Sequence, residues 1–451
     1  MECSERNTAK LKEMTLKIGS GSTPRGGKKS YLSSGEISLI RSQNIYNHHF
    51  EQNGLAYISE GQAAKLKNVT VQENDILINI TGDSIARNMI ISSEFLPARV
   101  NQHVSIIRCD DEKLDPFYLS AVLTSRRMQD YLISLGQIGG TRAALTKKML
   151  EELEVPVINI DQQRLIGKLL SKLNTKINTN NEIISNLEQL AQTLFNHWFF
   201  DFEFPNENGE PYQSSGGKMV ESELGMMPDG WSVDSLSYYM HETISGEWGK
   251  EAPQKNHQYM VNVIRGADIP ELRLGKDGKA PKRYILEKNF DKKSLSVGDV
   301  LIEVSGGSPT QSTGRTLLVD EILLEKYDNK AVSTNFCRVL RPLKSYFGTF
   351  IHLLLLQMYQ KDLFFQLENG TTGIKNLDVS NLVEKHKVIL PSNDVVKEFS
   401  DLANDLLTMI QQKGDENRKI KKLRDTLLPK LLSGELELPM DSEVTDDVSI
   451  S

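Results

Sequence analysis

The side chains with the most evident chemical potential sit around two glycine turns. Thr81-Gly82-Asp83-Ser84 and Ser305-Gly306-Gly307-Ser308 each follow a β-branched run. Such a turn can cradle phosphate with backbone N–H groups, but neither is followed by the Gly-Lys-Ser/Thr that completes a phosphate loop. Both are read as tight turns. The eight histidines show no ligand spacing, and His48-His49 and His352 are assigned to surface or groove-lining positions rather than to a metal. Asp110-Asp111 follow a strand and read as a solvated turn. Cys3, Cys109 and Cys337 form neither a metal nor a disulfide pattern; Cys109 and Cys337 lie in apolar runs and read as small core residues. The tetrapeptide of amino-methylating enzymes (Asn or Asp, Pro, Pro, aromatic) is missing, as is a cofactor-type glycine loop after a first strand. The expectation is a chain that does no chemistry of its own.

At 451 residues, 39% hydrophobic and 25% charged, the chain can bury two or more cores. No apolar run reaches the roughly 18 residues of a membrane span. The richest stretch, Phe350 to Met358, is broken by His352 and Gln357. Met1-Glu-Cys-Ser-Glu-Arg offers no apolar signal core, so a cytoplasmic location without membrane contact is expected. A net charge of −7 argues against a stand-alone nucleic-acid binder. The charge is uneven, however: Asp441 to Ser451 carries four acids and no base, whereas Lys276 to Lys293 is rich in Lys and Arg.

The elements that would position any site are written twice. Ile37-Ser-Leu-Ile-Arg41 returns as Val261-Asn-Val-Ile-Arg265, and Asp75-Ile-Leu-Ile78 as Asp299-Val-Leu-Ile302, both 224 positions later (41 to 265, 75 to 299). Ile106-Ile-Arg108 then matches Val339-Leu-Arg341, and Leu187, Leu190 and Leu194 match Ile420, Leu423 and Leu427, at an offset of 233 (108 to 341, 194 to 427). One insertion between two constant offsets is the trace of a duplicated folding unit. Pseudo-twofold symmetry follows, with a target of two halves.

Each copy is β-rich first and helical second. Ile37 to Ile40, Asp75 to Ile80, Met89 to Ile91 and Val104 to Arg108 are β-branched runs separated by turn residues. Asp115-Pro116 opens a helix expected to reach about Leu135; its counterpart runs from about Tyr346 to Gln366, with Ser345 as cap. From Asp161 to Trp198 there is no proline, and Ile166, Leu169, Leu173, Ile177, Ile184, Leu187, Ala191, Leu194 and Trp198 form a helical stripe with Asn180 on one step. The second stripe is Val395, Phe399, Leu402, Leu406, Met409, Ile420, Leu423 and Leu427, interrupted by Lys413 and Glu416. Two stripes of about five heptads predict long helices packed on each other, with a buried polar residue fixing register. Phe200 to Trp231, with Pro205, Pro211, Pro228 and Ser214-Ser-Gly-Gly217, reads as a linker that resists regular structure.

These motifs carry a resemblance. Leu423-Arg-Asp-Thr-Leu-Leu-Pro-Lys-Leu-Leu-Ser-Gly-Glu-Leu436 is similar to the C-terminal helix ending of the specificity subunits of type I restriction–modification enzymes. Trp198-Phe-Phe-Asp-Phe-Glu-Phe-Pro205 and Ser222-Glu-Leu-Gly-Met-Met-Pro-Asp-Gly-Trp231 resemble that family's passage into a second recognition domain. Gly21-Ser-Thr-Pro24 resembles the start of a recognition domain, and Asp161-Gln-Gln-Arg164 the start of a spacer helix. The second copy departs at both places: Ile244-Ser-Gly-Glu247 stands for the Gly-x-Thr-Pro element, and Ser392-Asn-Asp394 lacks the glutamines.

The resemblance implies an α+β fold: two β-rich target-recognition domains separated by a long antiparallel two-helix coiled coil, with an internal pseudo-twofold repeat. Its boundaries fall at 1–158 for the first recognition domain, 159–200 for the first helix, 201–230 for the linker, 231–391 for the second domain and 392–436 for the second helix. An acidic, disordered tail takes 437–451. The implied function is that of a non-catalytic DNA specificity subunit reading a bipartite target. Each domain reads bases in the major groove, and the helices hold the half-sites about one turn apart. Implied partners are double-stranded DNA, two adenine methyltransferase subunits and motor-nuclease subunits. No cofactor is expected on this chain; S-adenosylmethionine, ATP and Mg belong to the partners. The rival readings are a bifunctional methyltransferase with its own catalysis, which the missing motifs oppose, and an adaptor or regulatory scaffold without its own sequence readout.

Base reading uses Arg, Lys, Asn or Gln on loops, whose donors match base edges. In the first domain the candidates are Arg25, Lys28, Lys29, Arg41, Gln43, Asn44, Arg87, Asn88, Gln102 and Arg142. In the second they are Lys250, Lys255, Arg265, Lys276, Lys279, Arg283, Gln311, Arg315 and Lys375. Arg41 and Arg265 match across copies that should read different sequences, so a structural or phosphate role is expected for them. Arg142 and Lys375, after Gly140 and Gly373, invite the same reading. Lys28, Asn88, Gln311 and Arg315 do not match and are preferred for readout.

Overall fold

The computed structural model describes residues 8–137, 143–306, 308, 310–369 and 375–439. It divides into two compact units: Met1–Asn178 with Ile420–Ser451, and Thr179–Lys419. The first unit contains strands β1 (Thr15–Ser20), β2 (Ile37–Ile40), β3 (Ala56–Ile58), β4 (Ile76–Asn79), β5 (Asn88–Ile90), β6 (Ala98–Val100) and β7 (Val104–Cys109). Helix α1 (Pro116–Thr124) and the first half of helix α2 (Ile160–Phe199) follow. The second unit contains β8 (Met240–Ser245), β9 (Tyr259–Ile264), β10 (Lys282–Ile285), β11 (Val300–Glu303), β12 (Thr316–Leu318), β13 (Ala331–Ser333) and β14 (Cys337–Pro342). Helix α3 (Ser345–Gln360) and most of helix α4 (Asn393–Ser433) complete it.

The topology repeats strand for strand. The first unit pairs β1-β7-β4-β5 in one sheet and β3-β2-β6 in another; the second pairs β8-β14-β11-β12 and β10-β9-β13. In both three-stranded sheets the central strand is antiparallel to one neighbour and parallel to the other. Register is kept too: Ile106 faces Leu77, and Val339 faces Leu301. Successive strand side chains point to opposite faces, and here both faces are covered. Ile76 and Ile78 join the core beneath α1 while Leu77 joins the core between the sheets. Val300 and Ile302 divide from Leu301 in the same way. That is why β4 and β11 read as unbroken apolar runs.

The repeat also preserves an ion pair. Arg108 Nε and Nη2 each lie 2.8 Å from a carboxylate oxygen of buried Asp75. Arg341 grips buried Asp299 identically, at 2.9 and 2.8 Å. Each Asp additionally accepts the backbone N–H of a turn residue, Gln72 or Ser296.

Gly21 and Gly246 are the same position. A Cβ on Gly21 would stand 2.1 Å from the Asn101 carbonyl oxygen, and one on Gly246 would stand 2.0 Å from that of Thr334. The second copy therefore keeps the glycine that lets β8 end against β13, while losing the Thr-Pro that follows it in the first.

Several expectations are corrected. The helix opening at Asp115-Pro116 stops at Thr124, because Ser125 turns extended (ψ 142°) and its hydroxyl accepts the Met128 N–H; a separate helix, Arg126–Gln137, follows. Helix α3 starts at Ser345 rather than being capped by it, and ends at Gln360, where Asp362 adopts φ 57° before a 3-10 turn over Leu363–Leu367. The linker is ordered. Phe204 stacks on Tyr212 (4.6 Å) and Trp231 (5.0 Å), and Met219–Ser222 pairs with Gly225–Pro228 as a hairpin.

Within each unit the two long helices pair antiparallel. In the first, Asn174 accepts from Arg424 (2.9 Å) and Gln162 donates to the Leu438 carbonyl (3.0 Å). In the second, Phe195 and Phe199 pack on Phe399 at 5.7 and 4.8 Å. Asn180 is fully buried as its place in the stripe requires, and its partner is Asn417, 3.0 Å away. The inner face of α4 differs from the expected stripe: Leu402, Met409 and Leu423 are exposed, while Val396, Phe399, Ala403, Ile410 and Ile420 are buried. Lys413 and Glu416 satisfy each other at 2.9 Å.

Cys109 and Cys337 are buried, and burial pushes both thiols up, Cys337 to about 12. His352 is not a surface residue. It lies inside α3 at 2% exposure, and burial, with Arg273 nearby, holds it down to about 3. No described helix is long and apolar enough to cross a membrane. Among the described residues no group of three or more His, Cys, Asp or Glu is placed to hold a metal ion.

Candidate nucleic-acid interface

Three loops of the first unit gather where β1 and β4 end and β7 begins. Antiparallel pairing puts those strand ends side by side, Ser20 opposite Ser105 and Asn79 opposite Val104. Their side chains join into one polar chain. The Thr23 hydroxyl donates to Gln102 Oε1 (3.0 Å), Gln102 Nε2 meets His103 Nε2 (3.4 Å), and His103 Nδ1 meets the Thr81 hydroxyl (2.7 Å). The 81–84 turn is thus a tight turn with a job: it orients an imidazole. Gln102 is exposed, so this edge offers its amide outward, with His103 held behind it.

Basic residues flank it. Arg25, Lys28 and Lys29 are exposed on the turn beyond Pro24, where Gly26 (φ 97°) and Gly27 (φ 56°) take left-handed conformations suited to glycine. Arg87 is half-buried with its guanidinium 4.7 Å over Tyr46. Gln43 is exposed and leans on the Gly54 carbonyl (3.4 Å).

Other candidates of the first unit serve the fold. Asn44 is fully buried: its Oδ1 accepts the Arg41 N–H (3.1 Å) and its Nδ2 donates to the Glu51 carbonyl (2.8 Å). Asn88 is fully buried on β5, its Nδ2 donating to the Ala86 carbonyl (3.1 Å). Burial removes both from any surface a duplex could touch. Arg41 lies 5.5 Å over Tyr31 and donates to the Gly54 carbonyl. Arg142 falls outside the described residues.

The second unit repeats this division. Arg265 takes Asp268 with two hydrogen bonds of 2.9 Å and donates to the Lys279 carbonyl (2.8 Å). It occupies the same 3-10 cap as Arg41, with Asp268 standing for Asn44. Arg315 is bidentate on buried Glu303. It is not an unmatched loop residue: the Arg315 carbonyl accepts from Glu303 N–H (2.9 Å) as the Arg87 carbonyl accepts from Asn79 N–H (2.8 Å). Lys375 is paired with Glu368 (3.0 Å) and lies 4.4 Å over Phe365. Arg283 is held by Glu251 (2.8 Å) and lies 4.3 Å over Trp248. Lys250, Lys255, Lys276 and Lys279 are exposed, and Gln311, also exposed, donates to the Tyr359 hydroxyl (2.9 Å).

Thr23, His103, Trp248 and Phe336 stand at these loops too, and none is an Arg, Lys, Asn or Gln. The repeat held the signal for the last of these: 103 and 336 differ by 233, the constant offset of the second half. His48 is not a groove residue. Asn174 and Asn178 of α2 donate to its Nδ1 and its carbonyl (3.1 Å each), and burial together with Arg424 brings it down to about 4.

Residues 4–189 match the family model of the type I restriction modification DNA specificity domain. The chain is 25% identical to the type I restriction enzyme MjaIX specificity subunit of Methanocaldococcus jannaschii, covering 93% of this chain and 91% of that one. It is 21% identical to the HindI specificity subunit of Haemophilus influenzae, over 89% of this chain and 94% of that protein. The crystal structure of a type I system S subunit from M. genitalium shares the fold, with a TM-score of 0.60 over 96% of this chain and 98% of that one at 15% identity.

Proposed function

We propose that this chain is a specificity subunit of a type I restriction–modification system and reads a bipartite DNA target, one half-site per unit, around an unread spacer. The observation that carries the reading is a division of labour within the repeat. The Asp75–Arg108 and Asp299–Arg341 pairs, the strand register and the 3-10 caps are kept, while the loops beyond the sheets have changed their chemistry. Conserving the frame and varying the edge is what two readers of unlike sequences require.

In this reading the subunit performs no bond-making step. It scaffolds two adenine methyltransferase subunits, which hold S-adenosylmethionine, and motor-nuclease subunits, which hold ATP and Mg, in the cytoplasm. With a net charge of −7, much of the phosphate-neutralising charge falls to those partners. The test is methylome sequencing of cells with and without this chain. A methylated motif of two short halves that disappears with the chain is expected; an unchanged methylome sinks the proposal. Inserting one heptad into α4 should change the preferred gap, and a fixed gap would show that the helices do not measure it.

A further inference from the structure

The reading edges of the two units differ in kind, and the inference drawn from this rests on the DNA-reading function above. Where the first unit carries His103 in its polar chain, the second places Phe336, 62% exposed. Where Thr23 follows Gly21, Trp248 follows Gly246. A phenyl ring held in water is costly, and a loose loop would fold it away. This loop is not loose. The Phe336 N–H donates to the Thr334 hydroxyl (2.9 Å), and its carbonyl accepts from Val304 (2.8 Å) and Ser305 (3.2 Å). Arg338 spans the Asn335 and Cys337 carbonyls at 3.1 Å each.

We propose that Phe336 is a specificity-determining residue, contacting the 5-methyl group of a thymine in the half-site read by the second unit. A phenyl ring cannot donate to or accept from a base edge. What it can recognise in the major groove is the methyl that distinguishes thymine from cytosine. The surroundings favour a duplex over a protein partner. Exposed Lys250 lies on the segment that hydrogen-bonds to the end of β13, and supplies a cation suited to a phosphate. Trp248, stacked on Arg283, forms a second aromatic surface on that segment.

The full-length chain is used to select from two randomised duplex libraries, one containing thymine and the other uracil. Gln102→Ala marks the half-motif of the first unit by altering it. In the other half-motif a thymine preference is expected, falling roughly four-fold in the uracil library, the worth of one buried methyl. Phe336→Ala should cause the same fall in the thymine library and no further fall with uracil, whereas Phe336→Leu should keep the preference. Equal selection from both libraries, or an unaltered half-motif with Phe336→Ala, overturns the role of Phe336 while leaving DNA reading intact. Recovery of no motif from either library overturns DNA reading itself, and this inference with it.

Discussion

Arg108 lies across the carboxylate of Asp75 with two hydrogen bonds of 2.8 Å, and the Asp75 side chain is fully buried. Removing one partner of such a pair strands a charge in the interior. Asp75→Ala should therefore destabilise the first unit by about 3–5 kcal/mol, and Asp299→Ala the second by a similar amount. Urea unfolding monitored in each variant checks this; a loss under 1 kcal/mol would mean that water already solvates the pair.

Arg87 and Arg315 are topological equivalents with opposite employment. Arg315 neutralises buried Glu303, so Arg315→Ala should lower the unfolding midpoint. Arg87 faces Asn79 instead and rests on exposed Tyr46. Arg87→Ala should leave the midpoint nearly unchanged and reduce the salt slope of DNA binding by about one. Binding titrations over a range of salt concentrations decide it.

Asn180 and Asn417 share a buried amide hydrogen bond between α2 and α4. Asn180→Ala leaves Asn417 short of a partner and should cost about 1–3 kcal/mol. Replacing both by Leu should restore the thermal midpoint or raise it, while loosening register. If the single and double variants melt alike, the pair is not coupled.

His48 and His352 are held neutral, down to about 4 and about 3. Their folded values lie below the unfolded value near 6.5, so between these limits the unfolded chain binds protons that the folded chain refuses. Stability should therefore fall as pH drops from about 6.5 towards 4. His48→Asn should flatten part of that slope in the first unit, and His352→Gln in the second, as read by unfolding midpoints across pH. Parallel curves for variant and parent would contradict it.

Gly246→Ala should be as damaging as Gly21→Ala, about 1–3 kcal/mol each, since the new methyl meets backbone carbonyls that cannot step aside. Urea unfolding of both variants would expose any asymmetry.

Much of the architecture was legible because strong patterns produced it. The duplicated apolar runs became β4 and β11, the proline-free stretch from Asp161 became one long helix, and the stripe after Pro391 became a second that continues through Pro429. What escaped was governed by single side chains competing for the backbone. Ser125 split a helix whose apolar spacing continued past it. Leu402 and Met409 kept helical spacing yet face solvent, because Ala403 and Ile410 hold the inner face. The interface was the least legible part. Residue type alone nominated Asn44 and Asn88, whose amides are used internally, and ignored Phe336, whose significance lies in being held outward.

Leu428 and Leu431 of α4 share a core with Ile166 and Leu170 of α2 in the first unit. The first unit therefore cannot close its core until Leu428 and Leu431 have been synthesised, long after Asn178. A polypeptide stopped before Leu428 would hold the strands and α1 of the first unit in full, with their shared core left unsealed.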